Sequence, residues 1–573
     1  MTVSLERLTY ETFAREHRIV GFRMATIIID GQELQIGDDE RLNLVQAAER
    51  VGIKIPYYCW HPGLSVVASC RMCLVEVGQK LPTGQIQMQP RLVPACQTPA
   101  RDGTVMITNS EAVLENRRAV EEYLLLEHPV DCPICDRAGE CALQDYYYQH
   151  GRRERRDLPQ PFSSRRKDLG PEVTLFIDRC VMCSRCVRFT REITGTAELH
   201  VVQRGNHAEI DVFPGYPIDN KLSGNVVDLC PVGALCSRDF LYQQRVWFLK
   251  SHPSICVGCA TGCSLNIDEN KGQIYRLKPR HNPQANGWWL CDEGRLSYKH
   301  VAAESRLVTP RRRVGSVLQD AEWSALLPAL REDLVQSVRR HGGYATVAVL
   351  SPMLPVEEAF LLAKYLKSLS PDVCLALGRV PVVGADEAYP KSPNGRVTAS
   401  PKFVIHAEKC PNRVGVEALL QALDNPVVTF DAVLDEIANG TVKTLFLTGG
   451  YLAPWLSDEE LDRLSRVELL VLADILASPL CDKVHYLLPG AAWAEKAGSY
   501  VNQAGLLQRT ERGLRPPGDA HAEGRIFWEL AGRSRLYLAE DVLRELARDV
   551  PYFAACGQSP VPEQGMRLGG LGS

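Results

Sequence analysis

Cysteine is the residue type whose placement in this chain most clearly predicts chemistry. Sixteen of the 20 cysteines fall within the first 291 of the 573 residues. The N-terminal 23 residues lack the apolar core of a secretory signal, and they carry acidic residues (Glu6, Glu11 and Glu16) that a mitochondrial presequence would avoid. We therefore expect a cytoplasmic protein, in which clustered cysteines indicate metal binding or redox work rather than disulfides.

The first set of donors is Cys59, Cys70, Cys73 and Cys96, with the spacing C-x10-C-x2-C-x22-C. One loop can wrap a small iron–sulfur cluster with three of these thiolates, and the fourth arrives from further along the chain. Plant-type ferredoxins use C-x4-C-x2-C, so the ten-residue gap implies a longer loop. A [2Fe–2S] cluster is predicted, with a zinc site as the alternative.

The second set is His128, Cys132, Cys135 and Cys141, with the spacing H-x3-C-x2-C-x5-C. Three cysteines leave one iron of a four-iron cluster without a ligand, and His128 can supply it. On its own this motif also fits a zinc site with three cysteine ligands and one histidine. Because it lies between other cluster motifs, we predict a [4Fe–4S] cluster, with a potential raised by the neutral imidazole as in Rieske centres.

The third set is Cys180, Cys183, Cys186 and Cys230, within DRCVMCSRCVRF and DLCPVGAL. It resembles one half of the bacterial C-x2-C-x2-C…C-P arrangement and predicts one [4Fe–4S] cluster.

The fourth set is Cys256, Cys259, Cys263 and Cys291, with the spacing C-x2-C-x3-C-x27-C. Its glycines permit a tight fold around a third [4Fe–4S] cluster, and a zinc ribbon is the alternative. Five cysteines lack ligand spacing and are expected to be small buried apolar residues: Cys236, Cys374, Cys410, Cys481 and Cys556.

The elements around these sets indicate two kinds of fold. Apolar runs on either side of Asp30-Gly31 predict a hairpin, and residues 38–53 and 111–127 predict helices. After residue 300, apolar runs at 343–352, 402–407, 442–450, 467–474 and 483–490 alternate with helical stretches, which indicates a parallel α/β sheet. The chain is 45% hydrophobic with a net charge of −4, so it is globular and has no basic surplus for binding nucleic acid.

The order of the four sets resembles that in the large iron–sulfur subunit, the G subunit, of respiratory NADH:quinone oxidoreductase, complex I. The resemblance rests on CPICDRAGECALQD, RCVMCSRCVRF, GNVVDLCPVGAL and ICVGCATGCSL, and it covers residues 24–300. A looser match in LLPGAAWAEKAGSYVNQAGLLQ resembles the molybdopterin-oxidoreductase fold in degenerate form. The expected domains are a [2Fe–2S] ferredoxin-like (β-grasp) α+β domain at 24–105, a [4Fe–4S] region with one histidine and three cysteines at 106–150, a [4Fe–4S] ferredoxin-like domain at 170–247, a molybdopterin-oxidoreductase-type [4Fe–4S] domain at 250–305 and a degenerate α/β domain at 306–560.

The resemblance implies an electron relay in a proton-translocating complex, with one [2Fe–2S] and three [4Fe–4S] clusters, no molybdopterin and no substrate-converting site in this chain. Its expected partners are a flavin-bearing NADH-oxidising subunit and further iron–sulfur subunits leading to quinone. Membrane contact would come only through partners, on the cytoplasmic side of the inner membrane. The second and third clusters would lie on the main electron path, the [2Fe–2S] cluster beside it and the fourth off it.

Two alternatives keep the same iron–sulfur array in a different enzyme. One is a relay subunit of a soluble NAD-coupled hydrogenase or related flavin-linked reductase. The other is the catalytic subunit of a molybdenum or tungsten formate dehydrogenase, for which Cys374 is the nearest candidate metal ligand. No Cys-His follows Cys374, and only 282 residues follow Cys291, which is short for a pterin-enclosing enzyme.

Overall fold

A hairpin at Asp30-Gly31 begins the described part of this computed structural model, which comprises residues 24–37, 40–154, 156, 166–205, 207–392, 400–424 and 426–569. The N-terminal residues interpreted above lie outside these ranges. Strands β1 (Met24–Ile29) and β2 (Gln32–Gly37) pair antiparallel. Asp30 and Gly31 have φ angles of 46° and 83°, as a two-residue hairpin turn requires. The predicted hairpin is confirmed.

One helix and four further strands complete this first domain: α1 (Leu44–Arg50), β3 (Leu74–Lys80), β4 (Ile86–Met88), β5 (Val93–Pro94) and β6 (Thr104–Ile107). The sheet order is β2-β1-β6-β3-β4, with β1 and β6 parallel and β5 paired to β3. This α+β arrangement confirms the predicted ferredoxin-like fold. Helix α1 begins later than predicted because Asn43 caps it. The Asn43 side chain accepts from Gln46 N, and the Gln46 side chain accepts from Asn43 N, which together form a capping box.

Four helices, a short strand pair and a small three-stranded sheet follow. Their bounds are α2 (Glu111–Leu125), α3 (Ala142–His150), β7 (Lys167–Asp168), β8 (Val173–Leu175), α4 (Arg185–Phe189), β9 (Leu199–Val202), β10 (Glu209–Val212), α5 (Asn225–Leu229) and β11 (Leu235–Ser237). The helix predicted over 111–127 is confirmed as α2. Strands β11, β8 and β7 form one sheet, and β9 pairs with β10.

A three-stranded antiparallel sheet comes next, and it is followed by one short helix. The elements are β12 (Lys250–Ile255), β13 (Ser264–Asn270), β14 (Gln273–Pro279) and α6 (Asp292–Leu296).

The C-terminal half is organised around a seven-stranded sheet. Its elements are β15 (Arg311–Val314), β16 (Val317–Asp320), α7 (Trp323–His341), β17 (Thr346–Leu350), α8 (Val356–Leu369), β18 (Cys374–Leu377), β19 (Glu387–Tyr389), β20 (Phe403–Ile405), α9 (Arg413–Leu423), α10 (Phe430–Ala438), β21 (Thr444–Thr448), α11 (Asp458–Leu464), β22 (Leu469–Asp474), β23 (Tyr486–Pro489), β24 (Gly498–Val501), β25 (Leu506–Thr510), α12 (Glu523–Leu530), α13 (Ala539–Asp549) and β26 (Met566–Arg567). The order is β16-β15-β23-β22-β21-β17-β18, and the last five strands are parallel.

The predicted parallel α/β sheet is confirmed, but one of the strands predicted for it lies outside the sheet. The run at 402–407 forms β20, which pairs antiparallel with β19 outside the large sheet. Its Phe403 and Ile405 are buried in the apolar core that surrounds the cysteine-bearing segments, so its hydrophobicity reflects that core. Within the described ranges, no helix is long and apolar enough to cross a membrane.

Candidate metal centres

The first site lies at the loop between α1 and β3 of the ferredoxin-like domain. Cys59, Cys70 and Cys73 come from this loop, and Cys96 follows β5. The thiols interact most strongly in two pairs: the neighbouring Cys70 thiol lowers the pKa of Cys59, and the neighbouring Cys96 thiol lowers the pKa of Cys73. The charge of Cys59 also acts to raise the pKa of Cys73, so the two pairs lie close enough to belong to one site. Two pairs of thiols match the two ligands that each iron of a [2Fe–2S] cluster takes.

The backbone beside Cys70 is strained. Ala68 and Arg71 have φ angles of 51° and 58°, in the left-handed region that non-glycine residues rarely adopt. Such conformations cost about 1–3 kcal/mol each and are found at functional sites, where the surroundings hold them in place. The strained backbone on either side of Cys70 is therefore consistent with a loop whose conformation serves a functional site.

The second site gathers all four residues of its motif, one histidine and three cysteines. His128, Cys132, Cys135 and Cys141 line one small cavity, together with Arg179 from the next domain. Burial, reinforced by the Arg179 charge, lowers the pKa of His128, which keeps the imidazole neutral and able to act as a ligand. Cys141 stands at the N-terminal end of α3, whose first residues continue from the motif.

A glycine from the third motif forms part of the wall of the second site. A Cβ added at Gly233 would lie 2.2 Å from Cys135 Sγ, far inside van der Waals contact. Only a residue without a side chain fits there. The loop that follows Cys230 thus leaves the Cys135 sulfur the space it occupies.

The third site combines three cysteines around the start of α4 with Cys230 at the end of α5. All four line a single, almost entirely apolar cavity. Burial raises the pKa of Cys183 to about 11 and that of Cys180 further still. Four thiols that are costly to ionise alone become thiolates when a metal supplies positive charge, because a coordinating thiol is deprotonated outright.

The fourth site lies beside the antiparallel sheet of β12–β14. Cys256, Cys259, Cys263 and Cys291 are each at most 5% exposed and interact electrostatically with one another. Backbone amides donate to two sulfurs: Gly258 N to Cys256 Sγ at 3.4 Å and Gly294 N to Cys291 Sγ at 3.3 Å.

Glycine again makes room for sulfur at the fourth site. A Cβ on Gly294 would lie 2.8 Å from Cys256 Sγ and 3.2 Å from Cys291 Sγ. The predicted roles of glycine and of a compact fold around this motif therefore agree with the geometry.

Buried arginines connect the first site to the third. Arg188, on α4, donates to the carbonyls of Cys59 and Cys183, the latter at 3.3 Å. Arg185, on the same helix, donates to the Trp60 carbonyl at 2.6 Å and to the Leu229 carbonyl at 3.1 Å. One short helix thus fixes the backbone at or beside ligand residues of both sites.

These arginines are residues of the site that the cysteine spacing did not identify. Each stands next to or near a ligand position in DRCVMCSRCVRF, which contains Arg179, Arg185 and Arg188. All three are at most 8% exposed. The sequence does carry a signal for them, because three arginines lie among the cysteines of one segment that the cluster motif places in the interior. An arginine is rarely buried unless it is paired, so these side chains could have been expected to bind nearby groups.

The leftover cysteines behave mainly as core residues. Cys236, Cys410, Cys481 and Cys556 are buried, whereas Cys374 is partly exposed at the first position of β18 and packs on the core beneath the sheet. Among the described residues, no group of three or more His, Cys, Asp or Glu side chains is arranged to hold a single metal ion.

Five family profiles match consecutive stretches of the chain. They are a 2Fe-2S iron-sulfur cluster binding domain (23–111), the NADH-ubiquinone oxidoreductase-G iron-sulfur binding region (117–156), the NADH-quinone oxidoreductase subunit 3 ferredoxin-like domain (170–236), the molybdopterin oxidoreductase Fe4S4 domain (249–303) and molybdopterin oxidoreductase (410–533). Fold and sites together define a multi-domain iron–sulfur protein with a molybdopterin-oxidoreductase-type C-terminal domain.

The curated relatives show more closely which iron–sulfur proteins this chain resembles. The NADH-quinone oxidoreductase G subunit of Rickettsia bellii is 28% identical over 93% of this chain and 91% of its own length. The corresponding G subunit of Rickettsia felis is 34% identical over 60% of this chain and 49% of its own length, so the alignment spans about half of that relative. A solved structure, an NAD+-reducing [NiFe]-hydrogenase in the H2-reduced state, is 28% identical with a TM-score of 0.32 and covers 39% of this chain and 91% of that one. The resemblance to the G subunit of NADH-quinone oxidoreductase is confirmed over most of the chain by the curated relatives.

Proposed function

We propose that this chain is the electron-relay iron–sulfur subunit of an NADH:quinone oxidoreductase. The observation that carries the proposal is the gathering of each of the four donor sets into its own site, in the order of the motifs that the family shares. Homologues over most of the chain's length are named for that complex. One-electron transfer is the chemistry that iron–sulfur clusters supply when they are bound at such sites.

The donor residues fit these clusters in chemistry and in space. The ligands would be Cys59, Cys70, Cys73 and Cys96 for [2Fe–2S], and for three [4Fe–4S] clusters His128 with Cys132, Cys135 and Cys141; Cys180, Cys183, Cys186 and Cys230; and Cys256, Cys259, Cys263 and Cys291. Sulfur donors suit iron, and the single imidazole is neutral. The glycines at 233 and 294 leave open space beside ligand sulfurs that any side chain would fill.

The contacts favour a linear arrangement of three of the sites. Arg188 touches backbone of both the first and the third sites, and Gly233 from the third motif contacts Cys135 of the second. The third site therefore adjoins both the first and the second sites. We propose that the first site is in series with the other two, rather than beside them as the resemblance implies.

The surrounding residues exclude water and fix the backbone of the ligands. Seven of the eight cysteines at the third and fourth sites are each at most 8% exposed: Cys183, Cys186, Cys230, Cys256, Cys259, Cys263 and Cys291. A low local dielectric strengthens the influence of nearby charges and amide dipoles on a buried redox centre. The chain's own contribution is thus to set potentials and distances, with no acid–base step.

The partners and location follow from the same proposal. A flavin-bearing NADH-oxidising subunit would deliver electrons, and other iron–sulfur subunits would pass them toward quinone. Contact with the membrane would be made through partner subunits, on the cytoplasmic side of the inner membrane. The α/β domain would serve a structural role. Its candidate molybdenum or tungsten ligand, Cys374, packs against the domain core.

Electron paramagnetic resonance on the native complex tests the assignment. After reduction with NADH, Cys70→Ser, Cys135→Ser, Cys183→Ser and Cys259→Ser should each remove a different cluster signal. Cys236→Ser is the matched control, because Cys236 is also buried and lies close to the third motif without being a proposed ligand. Its variant should retain every signal.

The choice of electron donor separates the alternatives. Reduction by NADH followed by electron transfer to quinone supports the proposal. Reduction of the same signals by H2 would instead indicate a hydrogenase relay, and reduction by formate with stoichiometric molybdenum or tungsten would indicate a formate dehydrogenase. Either result would overturn the proposed complex while leaving the ligand assignment to be judged by the serine variants.

A further inference from the structure

Arg137 is a buried guanidinium at the boundary between the second and third sites. It lies two residues after Cys135 in the chain, and its residue is 8% exposed. Nη2 donates to the carbonyl of Cys230, a ligand position of the third site, and to the carbonyl of Val227 at 3.0 Å. Its backbone belongs to the second motif, whereas its charged end is bound by the third.

Glu140, the residue before Cys141, holds this guanidinium from the other side. It accepts from Arg137 Nη1 at 3.1 Å, from both terminal nitrogens of Arg276 at 2.9 Å, and from Lys278 Nζ at 3.2 Å. Arg276 and Lys278 lie on β14 of the fourth-site domain. Arg276 also donates to Asp268 Oδ2 at 2.7 Å.

Hydrogen bonds link three cations to two carboxylates in this network: Arg137, Arg276 and Lys278 face Glu140 and Asp268. Asp228, which is paired with Arg295, also lies within electrostatic reach of Arg137. The members are at most about one-third exposed, so solvent screens them weakly. The two sites are close together at Gly233 of the third motif. A Cβ built on Gly233 would lie 2.2 Å from Cys135 Sγ and 3.3 Å from Arg137 Cβ, both in the second motif.

We propose that Arg137, restrained by Glu140, is a shared positioning residue that sets the reduction potentials of the second and third sites together. Reduction adds negative charge, and a buried positive charge close to both sites favours the reduced form of both. Glu140 attenuates that effect while fixing where the guanidinium lies. The inference rests on the proposed function, because it requires clusters at both sites.

Two substitutions of opposite sign test the proposal by redox titration of the native complex, followed by electron paramagnetic resonance. Arg137→Gln should lower both potentials, and Glu140→Gln should raise both. The expected size is about tenfold in the ratio of reduced to oxidised cluster at a fixed potential, which is about 59 mV for a one-electron couple. A purely structural disturbance would not give shifts of opposite sign.

Arg245→Gln is the matched control. Arg245 donates to second-site backbone, to the carbonyls of Cys135 at 3.0 Å, Cys132 at 3.1 Å and Pro133 at 2.9 Å. Its variant should shift the second potential and leave the third unchanged. Arg137→Lys, which keeps the charge, should have potentials close to wild type and so lack most of the shift seen in Arg137→Gln.

The outcomes separate the two levels of inference. Wild-type complex without cluster signals at these sites would refute the proposed function. Intact signals with only one potential shifted, or with shifts of the same sign in Arg137→Gln and Glu140→Gln, would overturn the role of Arg137 alone. If Arg137→Gln fails to assemble, the isosteric Glu140→Gln decides the matter, and unchanged potentials in it would overturn the proposal.

Discussion

Replacing Gly233 by alanine challenges the second site through a single added carbon. That Cβ would lie 2.2 Å from Cys135 Sγ, whereas the van der Waals contact distance between non-bonded heavy atoms begins at about 3.5 Å. The sulfur would therefore have to move by about 1.3 Å, the difference between these two distances. Gly233 has no positive φ, so alanine can adopt its backbone and the effect is steric. Over-packing of this kind costs about 1–3 kcal/mol. If that cost falls on cluster binding, the affinity of the second site for its proposed cluster falls about 5- to 150-fold.

The assay is iron content and electron paramagnetic resonance of the complex carrying Gly233→Ala. We expect a selective loss of the second cluster's signal, with those of the first and fourth sites retained. Gly258→Ala is the matched control, because its Cβ would lie 3.5 Å from Cys256 Sγ, an ordinary contact, and its signals should all remain. Full retention of the second signal in Gly233→Ala would refute the placement of a cluster on Cys135.

Three further predictions concern other residues. His128→Cys replaces a neutral ligand by a thiolate and should lower the potential of the second cluster, so an unchanged midpoint in a redox titration would contradict the role of the imidazole. Cys183→Ser should slow NADH-to-quinone electron flow in the assembled complex, whereas Cys259→Ser should affect thermal stability more than flow; equal loss of turnover would contradict this ranking. Burial raises the pKa of Glu121, which accepts from Tyr58 at 2.5 Å, to about 7. The folded state therefore binds more protons than the unfolded state between pH 4.5 and about 7, and stability falls as the pH rises through that window. Glu121→Gln should remove this fall, measured as hydrogen exchange of α2 against wild type at each pH, and an unchanged slope would contradict it.

The donor sets could be found from the sequence because cluster ligation is largely local. Three of the four ligands in each set lie within a span of at most 15 residues, and their spacing constrains the loop that carries them. The hairpin at Asp30-Gly31 and helix α2 were predictable for the same reason, since turn chemistry and helical periodicity act over a few residues.

The contacts between sites were not predictable in this way. Arg188 reaches Cys59 across 129 residues of chain, and no spacing rule connects them. The strand at 403–405 was misplaced because hydrophobicity shows that a strand is buried, but not which partner it pairs with. Tertiary packing, rather than local propensity, determined both outcomes.

Metal content tests the central claim most directly. The complex should be purified anaerobically and its iron, zinc, molybdenum and tungsten measured per copy of this chain. Four clusters of the proposed types require about 14 iron atoms in this chain, in addition to those of partner subunits, with neither molybdenum nor tungsten. Stoichiometric zinc with iron well below that number, or about one molybdenum or tungsten per chain, would contradict the account.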